Sequence, residues 1–432
     1  MNGRLDAFVK KYKLAVDTRA FESECLRFTG EMEKGLAAGG GSLHMIPSFI
    51  SDEGRLPANK KIITVDAGGT NLRVATVHFD GEGKPVIEHF SKRAMPGTDR
   101  EITADDFFGH IANCIRPFAE ESDLVGVCFS YAAEITQNRD ASVIELGKEL
   151  KVSDINGRLV CEEIQKHLDG MGVAKKKFTV VNDTVATLLA AKTAQLSASN
   201  DGYFGFILGT GTNVCYTEKK ANITRLPPDY PKCGGMIINV ESGYYDLFDR
   251  GEIDEQLDAE SELPGSHVLE KMISGAYLGS LSKRVLQKAA AEGLFSDGAA
   301  KMIMEIEDIP LIHVDRLYEG CRDDNPLAEC LGYTEDDLAV GTGLIDCVMK
   351  RAAYLVNVVI GAVLLKTGAG KSNTRPALIC VDGTTFYKCL WLYDHVFELS
   401  GELVTGKLNR FFTTVRIEDA PLIGTAVAGL TN

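Results

Sequence analysis

The sequence predicts an α/β protein of two domains, and three observations lead to this prediction. The chain has 432 residues, which is enough for two domains with full cores. The stretch Ile62–Val77 reads IITVDAGGTNLRVATV, in which two runs of apolar and β-branched residues flank a glycine turn, as in a β-hairpin. Tyr203–Glu218 reads YFGFILGTGTNVCYTE and repeats this unit, with a Thr-Asn pair at the same place. A repeat at this separation predicts two related domains rather than a solenoid.

The two glycine turns have two interpretations. Glycine accepts positive φ without strain, so each turn could be no more than the turn of a hairpin. Two such turns that face each other could also hold one anion between their backbone N–H groups. A strand rather than a helix follows each turn, and the sequence contains no GxxxxGK[ST], which argues against the Rossmann and Walker motifs. The expected ligand is the phosphate chain of a nucleotide.

Composition restricts the class of protein. The chain is 45% apolar, 25% charged and 8% aromatic, which is typical of a globular protein. Its formal net charge of −15 argues against broad nucleic-acid binding, which needs a basic surface. The eleven cysteines form no CxxC pair and the histidines no metal-ligand spacing, so we expect reduced thiols and a cytoplasmic protein. The polar N-terminus does not resemble a signal peptide. The apolar run Leu355–Leu365 is interpreted as a buried helix, too short to span a bilayer.

The remaining elements follow in order along the chain. An amphipathic helix opens it, and a second helix is expected around Phe21–Leu36 before a run of three glycines. The block from 61 to 194 holds the first hairpin, a helix near Asp105–Glu120, the strands LVGVCFS and FTVV, and a further helix. The second block begins at the repeated hairpin and runs through a helix-rich middle to the strand Ala377–Gly383. The acidic segment GEIDEQLDAESELPG is interpreted as a solvated excursion.

The segment FTVVNDTVATLLAAK joins a strand to a helix through Asn182 and Asp183. Both residues suit a helix N-cap, and that role is compatible with catalysis. A carboxylate at the positive end of a helix dipole should stay ionised. Such an aspartate at the carboxyl end of a strand could act as the general base for an alcohol that attacks a γ-phosphoryl group.

Other acidic and glycine-containing segments suggest a second ligand. Asn239 and Glu241 follow an apolar strand, and Glu270 opens a helix. Carboxylates would repel a nucleotide, whereas carboxylates and amides suit the hydroxyls of a sugar. Asp382-Gly383-Thr384 forms a third strand–Asp–Gly–Thr unit, and Gly424-Thr425 lies near the start of the last helix. Each of these segments also has a simpler interpretation as a surface residue, a turn or a helix start.

Together these segments resemble the hexokinase family, within the actin-like superfamily of ATP-using proteins. FESECLRFTGEMEKGLAAGGGSLHMIPSFI resembles the family's N-terminal helix and the segment after it, DAGGTNLRV its first phosphate motif, and ILGTGTNVCY its second. VVNDTVATLL is similar to the stretch that carries the family's catalytic aspartate, and INVESGYY, EKMISGAYLG and CVDGTTFYK match in order and spacing. The resemblance covers roughly residues 21–430.

The resemblance implies a role for each matching residue. Asp183 would be the base that takes the proton from the sugar's 6-hydroxyl. The residues expected to bind the sugar are Ser130, Lys148, Asn182, Asn213, Glu241 and Glu270. The residues expected to line ATP are Asp66, Gly68, Gly69, Thr70, Asn71, Arg73, Thr210, Gly211, Thr212, Asp382, Gly383, Thr384 and Gly424. Asp66 would also anchor the shell of Mg²⁺ through water.

Two segments depart from the family's pattern. The family's sugar loop reads Ser-Phe-Pro, whereas this chain has Ser130, Tyr131 and Ala132. The family's Thr-Lys-Gly-Phe loop corresponds here to GKEL, so Gly147 replaces the threonine and Lys148 is kept. Because a neutral hydroxyl contact would be missing, the sugar should bind more weakly, by about 0.5–1.5 kcal/mol.

The resemblance implies two ribonuclease-H-like (actin-like ATPase) domains with mixed sheets that face a deep cleft. Residues 61–194 would form the small domain, residues 1–60 and 195–418 the large domain, and residues 419–432 a helix near the small domain. The implied function is ATP-dependent phosphorylation of a hexose, most simply glucose, as the first step of glycolysis. The partners are then hexose and ATP, with no nucleic acid and no membrane segment, in a monomer or a homodimer. The alternatives are a kinase of another sugar such as an amino sugar, a catalytically silent sugar sensor, or an actin-like assembling protein.

Overall fold

The computed structural model describes residues 2–37, 40–51, 53–146, 150–193 and 200–432. The strands in these ranges are β1 Ile46–Pro47, β2 Ile62–Gly68, β3 Asn71–Phe79, β4 Pro85–Ala94, β5 Ile102–Thr103, β6 Leu124–Phe129, β7 Ala132–Ile135, β8 Ala141–Glu145, β9 Val152–Ser153, β10 Lys177–Val181, β11 Tyr203–Leu208, β12 Thr212–Lys219, β13 Gly235–Asn239, β14 Ala377–Asp382 and β15 Phe412–Val415. The buried strands β2, β6, β11 and β14 are almost continuously apolar, as expected for strands covered on both faces.

Two mixed sheets share one topology. The first sheet has the order β4-β3-β2-β6-β10, and the second has the order β13-β12-β11-β14-β15, with β1 added beside β13. In each sheet three strands form an antiparallel meander, and two further strands then pair in parallel beside the first strand of that meander. The repeated hairpin of the sequence is therefore part of a repeated five-stranded sheet. The predicted two-domain α/β fold with mixed sheets is confirmed.

The helices cover both sheets and fill the middle of the chain. In the described ranges they are α1 Asn2–Lys11, α2 Phe21–Leu36, α3 Ala104–Ile115, α4 Val160–Gly170, α5 Asp183–Ala191, α6 Glu252–Ala259, α7 Val268–Ile273, α8 Gly275–Ala291, α9 Asp297–Met304, α10 Leu311–Tyr318, α11 Pro326–Leu331, α12 Glu335–Thr367, α13 Thr384–Lys388, α14 Leu390–Ser400 and α15 Ala420–Thr431. The predicted helices at Phe21–Leu36 and near Asp105–Glu120 are present as α2 and α3.

The helix α12 is the centre of the larger core. It is long and apolar enough to cross a membrane by length and composition, but 89% of its most apolar stretch is buried against protein. Helices α2, α8 and α14 pack around it. The apolar run Leu355–Leu365 is thus a buried helix, as predicted, within a helix of 33 residues that is longer than the run indicated. A core helix is apolar on all sides because neighbours cover every face.

The helices α5 and α15 pack against each other between the two sheets. The helix α5 follows the last strand of the first sheet but contacts β11, β12 and β14 of the second, whereas α15 follows the last strand of the second sheet and contacts β2, β6 and β10 of the first. A glycine at each contact permits the approach. A Cβ on Gly205 would lie 2.4 Å from the Thr184 carbonyl oxygen, and one on Gly126 would lie 2.6 Å from Thr425 Cγ2. Each sheet is therefore covered by the helix that follows the other.

One interpretation of the sequence is corrected. The acidic segment after Gly251 is not simply a solvated excursion, because it contains α6, one buried ion pair and one partly buried ion pair. Asp254 accepts a bidentate pair of hydrogen bonds from Arg351 at 2.6 and 2.9 Å, and Asp258 pairs with the buried Lys271 at 2.5 Å. The strand–Asp–Gly–Thr unit at 382–384 is present, with α13 following it from Thr384. The predicted domain boundary at 194 falls in 194–199, outside the described residues.

Candidate active site

The first glycine turn closes the hairpin of β2 and β3. Gly68 pairs with Asn71, so Gly69 and Thr70 are the two central residues of the turn, and Gly69 has φ +55°. Glycine at the first central position is the requirement of a type II′ hairpin turn. Thr70 is exposed, and the Asn71 amide donates to its hydroxyl at 3.2 Å. A Cβ on Gly68 would lie 2.7 Å from Ser130 Oγ, so the glycine is needed where the next loop crosses the turn.

The second glycine turn, at 209–211, is held by its neighbours. The Gly209 carbonyl accepts from Gly275 N at 2.9 Å and from Thr385 Oγ1 at 2.8 Å, at the starts of α8 and α13. Gly383 has φ +117°, and a Cβ there would lie 2.3 Å from the Leu208 carbonyl oxygen. The segment at 382–384 therefore lies against this turn, and both Thr210 and Thr384 are exposed beside it. The Asp382 carboxylate accepts from Gly383 N at 2.7 Å.

Asp183 is the first residue of α5, and Asn182 caps this helix by accepting from Thr184 N at 2.9 Å. Burial and the negative charge of Glu241 raise the pKa of Asp183 to about 7, and Asp66 adds to the rise. The hydrogen bond from Thr184 N at 2.7 Å opposes it. The pKa of Asp183 is therefore shifted upwards, although a helix N-terminus by itself would lower it. Burial and two nearby carboxylates outweigh the helix N-terminus.

A chain of hydrogen bonds connects the residues expected to face a sugar. Asn213 Nδ2 donates to Asn239 Oδ1 at 2.7 Å, and Asn239 Nδ2 donates to Glu241 Oε1 at 2.7 Å. Glu241 has φ +56°, in the left-handed region, which turns the chain sharply after β13. Burial raises the pKa of Glu241 to about 7, Asn239 opposes the rise, and Glu270 adds to it. Glu270 Oε2 accepts from Thr212 N at 3.0 Å. Glu241 and Glu270 are therefore connected through the neighbouring residues Thr212 and Asn213, directly after the second turn.

Asp66 lies on β2 beneath the first turn and is 4% exposed. Arg73 on β3 donates to Asp66 Oδ2 through Nε at 2.6 Å, and it pairs with Asp419 at 3.0 Å. Burial raises the pKa of Asp66, Arg73 opposes the rise, and Asp382 adds to it. Asp66 also raises the pKa of Asp183, so Asp183 and Asp382 each lie within electrostatic range of Asp66.

A partly open pocket lies between the two sheets. Asn182 and Tyr131 line it from the first sheet, and Asn239 and Glu241 line it from the second. Ser130 donates its backbone N–H to the Ala67 carbonyl at 3.2 Å, next to the first turn. Polar groups that face an otherwise apolar cavity from both sides are typical of a small-molecule site.

Two residues of the expected site are buried, and a third lies outside the described residues. Thr212 is 5% exposed, and its N–H and hydroxyl donate to Glu270 and to the Ile207 carbonyl, so Thr210 is the exposed threonine of that turn. Gly424 is buried between α15 and α5, where a Cβ would lie 1.8 Å from the Ala186 carbonyl oxygen. Gly424 therefore permits the close packing of α15 on α5. Lys148, like Gly147, lies outside the described residues.

Asn239, which the sequence pattern indicated together with Glu241, connects Asn213 to Glu241. Other residues near the site were not included in the prediction. Asp419 pairs with Arg73 from a distant part of the chain, which no local pattern indicates. The ring of Tyr244 lies between His44 and His267, at centroid distances of 4.2 and 3.9 Å. This stack joins the segment after Glu241 to the start of α7, which carries Glu270.

The comparisons with known proteins agree with this arrangement. Two family models, both described as hexokinase, match residues 6–193 and 203–431. "Hexokinase-2" of Oryza sativa subsp. japonica is 32% identical over 408 residues, which are 88% of this chain and 80% of that protein. "Hexokinase-1" of Schizosaccharomyces pombe is 28% identical over 423 residues, 93% of this chain and 85% of that protein.

Solved structures agree in fold. A hexokinase from Schistosoma mansoni complexed with glucose has a TM-score of 0.73 and 24% identity and covers 98% of both chains. A further hexokinase crystal structure has a TM-score of 0.79 and 21% identity and covers 99% of both chains. The fold and the site define a two-domain sugar kinase of the actin-like class. The chain belongs to the hexokinase family, whose members phosphorylate a hexose at the expense of ATP. It is an ATP-dependent hexose kinase, and hexokinases catalyse the first step of glycolysis.

Proposed function

We propose that this chain transfers the γ-phosphoryl group of ATP to the 6-hydroxyl of glucose in the cavity between the two sheets. The observation that carries the proposal is the position of Asp183. Its pKa is raised by burial, by Glu241, which is among the residues expected to bind the sugar, and by Asp66, which lies beneath the first glycine turn. Asp183 thus stands between the two sets of residues that a sugar kinase must bring together.

Asp183 serves as the general base. A base works best when its pKa lies near the working pH, because a substantial fraction of it is then ionised while it is still a good proton acceptor. The value of about 7 meets this condition. Phosphoryl transfer has a loose transition state, so the proton of the 6-hydroxyl is needed late and most of the catalysis comes from positioning and charge stabilisation. Thr184 N holds the Asp183 carboxylate in a fixed direction for this step.

The sugar is held by carboxylates and amides. Glu241, Glu270 and Asn182 accept from or donate to hydroxyls, and Asn213 and Asn239 fix the orientation of Glu241. The pKa of Glu241 is about 7 without the sugar. A sugar hydroxyl that donates a hydrogen bond to Glu241 favours the ionised carboxylate, so the pKa of Glu241 should fall when the sugar binds. Ser130 contributes from the first sheet. Lys148 is proposed as a further contact on the sequence resemblance alone.

The phosphates are held by the two glycine turns, with Thr70 and Asn71 from one sheet and Thr210 and Gly211 from the other. Asp382, Gly383 and Thr384 extend the second side. Hexokinases use ATP with Mg²⁺, and the residues present fit that ion. Mg²⁺ in nucleotide sites is usually bound by one or two carboxylates, by water and by the substrate phosphates. Asp66 and Asp382 are the carboxylates that would hold those waters. The ion would neutralise charge that develops on the transferred phosphoryl group.

The alternative substrate is another sugar such as an amino sugar, because two carboxylates would also accept an ammonium group. The test is a panel of glucose, mannose, fructose and glucosamine with MgATP, in which ADP release is coupled to NADH oxidation. We expect kcat/KM to be highest for glucose. A preference for glucosamine would replace the substrate but keep the kinase. No ADP release above the hydrolytic background with any sugar would reject the function and leave a silent sugar-binding relative.

We also propose that the enzyme acts in the cytoplasm and that one chain is the catalytic unit. All eleven cysteines are free thiols and most are buried, which is usual in a reducing compartment. The cavity and both turns come from one chain, so a monomer would be sufficient. Light scattering of the purified protein distinguishes a monomer from a homodimer, and fractionation of cells tests the location.

A further inference from the structure

We propose that Tyr131 is a positioning residue that aims a backbone N–H of the first glycine turn at the phosphates of ATP. The Tyr131 hydroxyl donates to the Gly69 carbonyl oxygen at 2.8 Å. The side chain is 7% exposed, and its ring packs edge-on against Phe129 at a centroid distance of 5.1 Å. The hydroxyl therefore comes from a side chain with a fixed position. This inference rests on the proposed binding of phosphate by the turn.

The Gly69 carbonyl and the Thr70 N–H belong to the same peptide unit. A trans peptide is planar, and its C=O and N–H point in opposite directions. When Tyr131 holds the Gly69 carbonyl on the protein side of the turn, the Thr70 N–H must point away from Tyr131. Thr70 is exposed, so this N–H faces the open side of the turn. An N–H in that direction attracts a phosphate, whereas the carbonyl in its place would repel it.

This peptide unit needs an anchor because it is the central unit of a two-residue turn. The types of β-turn differ by a rotation of the central peptide while the flanking residues keep their places. Gly69 has no heavy atom within 4 Å of a Cβ position and has φ +55°, so it offers little steric resistance to such a rotation. The next carbonyl, that of Thr70, is already held by Met95 N at 2.9 Å. The Tyr131 hydroxyl thus fixes the other carbonyl of the turn.

Tyr131 also lines the cavity between the sheets, together with Asn182 and Glu241. One side chain therefore contacts the proposed sugar cavity with its ring and the proposed phosphate turn with its hydroxyl. The kinases that this chain resembles have phenylalanine in the corresponding loop, so the hydroxyl is a feature of this chain. Replacement of Tyr131 by phenylalanine keeps the ring against the cavity and removes only the hydrogen bond.

The experiment compares Tyr131→Phe with the parent enzyme and with a matched control. The control is Tyr354→Phe, which removes another tyrosine hydroxyl that donates to a backbone carbonyl, that of Asp17 at 3.4 Å, in the helical part of the chain. For each protein the KM values for ATP and glucose and kcat are measured. The affinity for MgADP is measured by calorimetry without turnover. Thermal unfolding midpoints are recorded, and all assays are run well below them.

We expect Tyr131→Phe to raise the KM for ATP and the Kd for MgADP by about three- to tenfold, the usual effect of one neutral hydrogen bond. The KM for glucose should stay within about twofold, and Tyr354→Phe should change none of these constants. A rise confined to the KM for glucose would overturn the inference, because the hydroxyl would then serve the sugar. Unchanged nucleotide constants in an active Tyr131→Phe enzyme would also overturn it. A parent enzyme without kinase activity would instead reject the proposed function.

Discussion

Replacement of Asp183 by asparagine should abolish most of the turnover and at the same time stabilise the fold. Asparagine has the same shape and can still accept the hydrogen bond that Thr184 N donates to Asp183 at 2.7 Å. It cannot take a proton from an alcohol, so kcat should fall by about 10²–10⁴-fold, the usual contribution of a general base. The variant therefore separates the charge of Asp183 from its role as a helix residue.

The expected gain in stability follows from the pKa of Asp183. Burial, Glu241 and Asp66 raise it from the ordinary value of 3.8 to about 7, so the folded protein holds the proton more tightly than the unfolded chain does. The free energy of unfolding then falls as the pH rises through the window from about 4 to about 7. A rise of about 3 units corresponds to about 4 kcal/mol at 1.36 kcal/mol per unit, as an upper bound. Asp183→Asn should recover up to this amount at pH 8 and almost none at pH 4.

The assay is urea unfolding of the parent and the variant at pH 4.5, 6 and 8, with kcat measured at pH 8. Asp337→Asn is the matched control, because Asp337 is also a buried carboxylate in the first turn of a helix. Burial opposes its ionisation, but hydrogen bonds from Thr334 and Ser296 lower its pKa. Asp337→Asn should therefore lose stability at pH 8 and keep its turnover. An Asp183→Asn protein that is no more stable than the parent at pH 8, or that retains near-normal kcat, would refute the reasoning.

Three further predictions concern the sugar site, the helix contact and the domain motion. Glu241→Gln should raise the KM for glucose by about tenfold or more, because a hydrogen bond to a charged group is lost. The affinity for MgADP, measured by calorimetry, should not change. An unchanged KM for glucose would remove Glu241 from the sugar site. Gly424→Ala should lower the free energy of unfolding by about 1–3 kcal/mol, because the new Cβ would clash with the Ala186 carbonyl. Gly30→Ala in α2 is the control: its Cβ would meet no atom, so it should be neutral or stabilising. Equal urea midpoints for the two variants would contradict this. Saturating glucose should close the two sheets around the sugar, which excludes water from the reaction. Closure should reduce the radius of gyration measured by small-angle scattering. An unchanged profile would count against closure.

The sequence by itself determined the local elements of this protein. The strand–glycine turn–strand units, the helix Phe21–Leu36 and the Asn182 cap of α5 follow from side-chain periodicity, turn chemistry and capping, which act over a few residues. The repeat of the hairpin also predicted a repeated domain, and the two sheets share one strand order. The family resemblance then identified the segments that carry the chemistry, because those segments are short and contiguous.

Only the tertiary structure decided how these elements act on one another. Each sheet is covered by the helix that follows the other sheet, so α5 and α15 pack closely together. This packing explains why position 424 is a glycine, because a side chain there would clash with Ala186. The upward pKa shift of Asp183 comes first from burial and then from Glu241 and Asp66, which lie in distant parts of the chain. The same holds for Tyr131, whose hydroxyl meets the Gly69 carbonyl. Burial and electrostatic energies are sums over neighbours in space, so a pattern along the chain cannot fix their sign until packing has chosen those neighbours.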